Sequence, residues 1–114
     1  MDQISHICKP CRGDVPPLGP DEVARRHAHI PHWEVTAAGT VLKRTYKFKN
    51  FRDAFGFVAA LSDEAEVQGH HPDICFGWGY VTVSLQTHKI KGLHDNDFIM
   101  AARFDRLAAD RGVP

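Results

Sequence analysis

The sequence predicts an α+β fold: a four-stranded antiparallel sheet with three helices packed on one face, in the order α-β-β-α-β-β-α. Three observations lead there. Two pairs of short runs rich in β-branched and aromatic residues are each joined by a glycine-bearing turn, one pair in residues 32–50 and one in residues 73–88. Three further segments repeat apolar residues at helical spacing, one before, one between and one after those hairpins. A sheet needs one covered side, so helices interleaved with two hairpins gather on a single face.

The elements follow in chain order. Residues 1–20, "MDQISHICKPCRGDVPPLGP", hold four of the seven prolines and no sustained apolar period, so they read as an irregular lead-in to a single domain over 21–114. "DEVARRHAHI" opens with acids suited to a helix N-terminus, places Val23, His27 and Ile30 on one face, and stops before Pro31. "HWEVTAAGTVLKRTYKFKN" reads as a strand, a turn at Ala38 and Gly39, and a longer strand in which Leu42, Tyr46 and Phe48 alternate with Lys43, Thr45 and Lys47. Arg44 shares the parity of Leu42 and Tyr46, an inward position with no local explanation. Asn50 can cap the next helix, where Phe51, Ala54, Phe55, Val58, Leu61 and Ala65 recur at helical spacing to about residue 67. "DICFGWGYVTVSLQTHK" forms the second hairpin, turning within 77–80. The last helix, from about 95 to 110, puts Asp97, Ala101, Phe104 and Ala108 on one face.

Composition narrows the function. The 114 residues carry 14 Lys+Arg against 14 Asp+Glu, so no basic field points to nucleic acid or an anionic membrane. The longest apolar run, residues 55–61, is far short of the roughly 20 residues that cross a bilayer, and the polar start lacks a signal-peptide core. Three cysteines fit a reducing compartment better than a disulfide framework, and a soluble cytoplasmic protein is expected. The unusual count is histidine, with eight.

Chain geometry gathers three of these histidines. In "YVTVSLQTHK", Val81, Val83, Leu85 and Thr87 share the parity that belongs under the helices, and His88 shares the other. The hairpin returns His88 toward the start of the preceding strand, where His70 and His71 stand before Pro72. A turn centred on Trp78 sets position 88 opposite 68, and one centred on Gly79 and Tyr80 sets it opposite 71. Either register leaves His88 within about three residues of the pair, roughly 10 Å or less. Pro72 stiffens the helix-to-strand junction. Glu66, four residues before His70, lies beside that imidazole if the last helical turn persists. Asp97 opens an apolar stripe, which aims its carboxylate inward. Several imidazoles in one pocket with no nucleophile suggest proton shuttling, as in an elimination or tautomerisation. Against this stands the plainer reading of each histidine as a satisfied polar residue and of Asp97 as a helix N-terminal acid.

Glu66, three residues, His70-His71-Pro72, five residues, Trp78, nine residues, His88, eight residues, Asp97: this spacing resembles the signature of the pterin-4a-carbinolamine dehydratase family. The resemblance runs from about Leu18 to Ala109 and takes in Trp33, "YKFKNFRDAFGFV" and "THKIKGLHDND". It implies the fold derived above, with sheets joined edge to edge in a homodimer and some members forming tetramers. It implies a 4a-hydroxytetrahydrobiopterin dehydratase, a lyase that removes water from 4a-hydroxytetrahydropterin to give quinonoid dihydropterin and recycles the tetrahydrobiopterin-type cofactor of aromatic amino-acid hydroxylases. No metal or organic cofactor is implied.

Carried onto this chain, the resemblance makes His70 and His88 the acid–base pair and His71 the histidine that mainly holds the pterin ring. Glu66 and Asp97 would orient histidines or the ring, and Pro72, Thr87 and Lys89 would line the pocket. Two other readings stay open. One is a protein-binding module, because animal relatives of the family act as dimerisation cofactors of a homeodomain transcription factor; the other is action on a different pterin such as molybdopterin. "HICKPC" is not part of the signature. Its lone CxxC, Cys8 and Cys11, is weak evidence for zinc even if Cys75 and His6 could complete a site, and an incidental loop motif is the preferred reading. His27, His29, His32 and His94 are expected to be ordinary surface or partly buried residues.

Overall fold

A computed structural model describes Cys8 and residues 15–113. Helix α1 spans Pro20–His27, strand β1 Glu34–Thr36, β2 Val41–Lys47, helix α2 Phe51–Gln68, β3 Asp73–Gly77, β4 Tyr80–Leu85 and helix α3 Asp95–Asp110, in the predicted order. The four strands form one antiparallel sheet ordered β1-β2-β4-β3, so the long central strands belong to different hairpins. No helix among the described residues is long and apolar enough to cross a membrane.

Local chemistry accounts for the element ends. Pro20 begins α1, where its missing N–H costs nothing. The helix stops at His27, three residues short of the predicted end, and the chain continues in tighter turns, the His29 N–H donating to the Arg26 carbonyl. Ile30 is buried all the same, in a turn whose N–H bonds the His27 carbonyl. The first hairpin turns through Ala37, Ala38 and Gly39, all at positive φ. Two alanines there cost roughly 1–2 kcal/mol each, partly offset where the Thr40 hydroxyl and N–H both donate to the Ala37 carbonyl. Asn50 caps α2 as expected, its side chain accepting from the Asp53 N–H at 2.8 Å.

The core lies between the sheet and the helices. Leu42 and Tyr46 of β2 and Val81, Val83 and Leu85 of β4 are all buried, as the alternation requires. They meet Ala54, Phe57, Leu61 and Ala65 of α2 and Phe98, Ala101, Phe104 and Ala108 of α3, and Val23, Ile30 and Trp33 join the same cluster. Each large side chain so buried contributes about 1.5–3 kcal/mol. On the opposite face Lys43, Thr45 and Lys47 are exposed, and the Thr45 and Thr82 hydroxyls bond across the strands at 2.9 Å.

One part of the predicted α2 stripe differs. Phe57 occupies the core, while Phe51 and Phe55 are 50% and 55% exposed. Both overhang the margin of the sheet and stack on Phe76 of the edge strand β3, with ring centroids 5.5 and 6.1 Å away. Among the described residues no further strand lies beyond β3 to cover them.

The inward position of Arg44 now has its reason. Its guanidinium lies 4.3 Å from the centre of the Tyr46 ring and donates to Asp105 Oδ1 of α3 at 2.7 Å. The same oxygen accepts from the Tyr46 hydroxyl at 2.6 Å and the Trp33 indole at 2.9 Å. Burial, together with the charge and hydrogen bond of Asp105, pushes the Tyr46 phenol far above the usual tyrosine range.

Candidate active site

The site is built where α2, β4 and α3 end or begin. Helix α2 closes on Gly69, whose φ of +67 is open to glycine at little cost and whose N–H returns to the Ala65 carbonyl. That left-handed residue turns the chain off the helix axis and swings His70 inward. Its Nε2–H donates to Asp97 Oδ1 at 2.7 Å, with both side chains buried.

Asp97 is the centre of the arrangement. It stands in the first turn of α3, where the positive end of the helix dipole favours a carboxylate. Its second oxygen accepts from the Thr87 hydroxyl at 2.7 Å and the His94 N–H at 3.0 Å. A fully buried carboxylate thus receives three hydrogen bonds, the condition for carrying charge away from water. Asp97 therefore joins the segment bearing His70 to Thr87, the residue immediately before His88.

Two expectations about neighbours need correction. Glu66 does not sit beside His70, because the turn at Gly69 breaks the helical spacing that would have paired them. Its carboxylate instead accepts from His71 Nε2, in a pair whose side chains are both largely exposed. The second hairpin matches neither anticipated register. It turns at Trp78 and Gly79 and pairs Gly77 with Tyr80, which sets position 88 opposite 69 by extension. Strand β4 also ends at Leu85, and His88 begins a 3-10 turn, His88–Ile90, with its side chain exposed.

The other candidates fall around this frame. Thr87 is buried with its hydroxyl on Asp97, Lys89 is exposed beside His88, and Pro72 is half-buried after His71. The Asp105 cluster escaped the sequence reading as a unit, although the inward parity of Arg44 was its signal. A separate groove of about 710 Å³ runs between α1 and the first hairpin, lined by Pro17, Leu18, Val23, Trp33, Val35 and Gly92 among others. None of the site histidines lines it, so this apolar groove and the histidines occupy different places. Cys11 and His6 lie outside the described residues. The Cys8 N–H donates to the Gln68 side chain, and Cys75 is exposed on β3. Among the described residues no group of three or more His, Cys, Asp or Glu side chains could hold a metal ion.

Residues 16–107 match the family described as Pterin 4 alpha carbinolamine dehydratase. A relative from Aromatoleum aromaticum is 55% identical over 104 residues, spanning 91% of this chain and 93% of its own length, and one from Methylococcus capsulatus is 52% identical over 103 residues, spanning 90% of each. Both carry the name "Putative pterin-4-alpha-carbinolamine dehydratase". Among solved structures, a transcriptional coactivator/pterin dehydratase from Brucella melitensis is 30% identical, with a TM-score of 0.76 over 81% of this chain and 98% of that one. A pterin dehydratase-like protein described as a RuBisCO assembly factor in the alpha-carboxysome is 28% identical, with a TM-score of 0.59 over 67% of this chain and 88% of that one. With a family match over most of its length and relatives more than 50% identical across it, the chain belongs to the pterin 4 alpha carbinolamine dehydratase family.

Proposed function

We propose that this protein is a 4a-hydroxytetrahydropterin dehydratase working by histidine acid–base catalysis in the cytoplasm, regenerating a tetrahydrobiopterin-type cofactor. The observation that carries the reading is the position of Asp97, which holds His70 on one oxygen and Thr87, the neighbour of His88, on the other. A carboxylate used this way sets ring orientation and proton position.

The elimination asks for two proton transfers. One imidazolium protonates the hydroxyl on C4a, the C4a–O bond breaks and water departs; a neutral imidazole takes the N5 proton, and that N–H electron pair forms the new C=N bond. His70 and His88 supply this acid and base between them. Imidazole titrates near neutrality, which suits both roles at cellular pH. His71, exposed and paired with Glu66, bears on the ring of the substrate, as Lys89 and Pro72 do at the margins of the pocket.

The proposal extends to self-association. Strand β3 is an edge strand of five residues, and beside it Phe51 and Phe55 leave aromatic surface in water. An open edge invites pairing with another strand, and an exposed apolar patch marks an interaction surface. A second copy joined along β3 covers both.

A direct dehydration assay with chemically made 4a-hydroxytetrahydropterin over pH 5 to 9 tests the reading. The wild type is expected to accelerate water loss with a rate governed by groups titrating near neutrality. His70→Ala and His88→Ala are each expected to lose about 100-fold or more. Full activity in the double variant would end the acid–base assignment.

A further inference from the structure

The loop bearing His88 is braced by the residues that lead into α1. Thr87 and Gly92 close its base: the Thr87 N–H donates to the Gly92 carbonyl at 2.9 Å, and the Gly92 N–H lies 3.5 Å from the Thr87 carbonyl. Between them run the 3-10 turn, His88–Ile90, and Lys91, held at a φ of +51. Just beyond this base the Leu18 N–H donates to the Leu93 carbonyl at 2.9 Å, bringing Pro17 down onto Gly92. A Cβ added at Gly92 would stand 2.6 Å from Pro17 Cβ and 3.4 Å from its Cγ. Gly92 is not among the glycines at positive φ, so contact with Pro17, and no demand of backbone conformation, excludes a side chain there. The pyrrolidine ring has no rotamer by which to swing aside.

From this packing we infer that Pro17 and Gly92 are positioning residues for His88: the residues leading into α1 form a strap whose ring, seated on Gly92, holds the catalytic loop at its working height. The inference rests on the dehydratase reading for His88. Asp97 anchors one end of the loop through Thr87, and the strap anchors the other. Without the strap the histidine keeps its neighbours in sequence but loses its distance to the substrate.

The test compares Gly92→Ala, Pro17→Gly and the double variant in the dehydration assay, with thermal unfolding followed alongside. Gly92→Ala is expected to lower kcat by about 10- to 100-fold, the scale on which misplacement of a reacting group by about 1 Å acts, while KM and the unfolding midpoint change little. Pro17→Gly alone lowers kcat less. The double variant regains most of the lost rate, because the alanine methyl fills the space left by the ring. Wild-type kcat in Gly92→Ala, or no recovery in the double variant, overturns the inference. Should Gly92→Ala not fold, wild-type kcat in Pro17→Gly overturns it equally. An inactive wild type would count against the functional reading instead, and the strap is then judged by the NMR resonances of the His88 amide and imidazole, which must shift in Pro17→Gly if the inference holds.

Discussion

His70 and Asp97 stand 27 residues apart in the chain and 2.7 Å apart in space, both buried, and the carboxylate that holds the imidazole also holds Thr87. This pairing makes Asp97 the residue through which two separately folded segments share one geometry.

Asp97→Asn should expose that dependence. The amide keeps the shape but only one acceptor oxygen, so a donor faces either His70 or the Thr87 hydroxyl and His94 N–H. On the proposed acid–base reading a loss of about 10- to 100-fold in kcat is expected, the scale on which carboxylates that orient a histidine act. Asp97→Ala leaves buried donors without an acceptor and should cost about 2–4 kcal/mol by urea unfolding.

Glu66→Gln should behave otherwise. The Glu66–His71 pair is exposed, and such pairs contribute at most about 1 kcal/mol and are screened by salt. Unfolding midpoints are expected to match the wild type, while KM rises and kcat holds, as the proposed role of His71 in holding the substrate requires. A fall in kcat at unchanged KM, read in the same assay, would contradict that division.

Asp105→Ala should be the most destabilising surface-proximal change. One oxygen accepts from Trp33, Arg44 and Tyr46, and the Arg44 side chain is 9% exposed. Breaking a largely buried ion pair from one side costs about 3 kcal/mol or more. Denaturant unfolding measures this directly, and a loss under 1 kcal/mol would show the cluster to be dispensable.

Tyr46 predicts an alkaline limit. Its phenol titrates well above the usual tyrosine range in the native chain and near pH 10 when unfolded. The native state therefore holds its proton where the unfolded state releases it, so this contribution is complete below about pH 10 and declines as pH rises beyond that. Tyr46→Phe should be less stable at neutral pH by about 1 kcal/mol for the lost hydrogen bond, with a shallower decline in alkali. Parallel alkaline slopes for the two proteins would refute it.

Phe51→Ser with Phe55→Ser should weaken self-association. Burying each ring in an interface is worth about 1.5–3 kcal/mol, so the pair should loosen a dimer by well over tenfold. Sedimentation velocity across a concentration series reads the shift toward monomer. An unchanged profile would exclude this edge as the interface.

Much of the architecture was legible in the sequence because its signals are local. Asn50 needs only the Asp53 N–H three residues on, and the alternation from Val81 to Leu85 is a property of one strand, so both could be read without knowing what lay opposite. The helical spacing of Phe51 and Phe55 leaves their exposure open, because periodicity tells which face is apolar but not where the sheet beneath it stops.

The candidate site divides along the same line. The sequence by itself determined the element order, the inward aim of Asp97 and the spacing of His70, His71 and His88 that resembles the family's signature, since spacing and periodicity travel with the chain. Only the tertiary structure decided that His70 pairs with Asp97 while Glu66 takes His71, and that Arg44 has Asp105 as its partner. The physical reason is that one left-handed residue at Gly69 turns His70 away from its helical neighbour, and the partner it then finds is supplied by a helix packed from elsewhere.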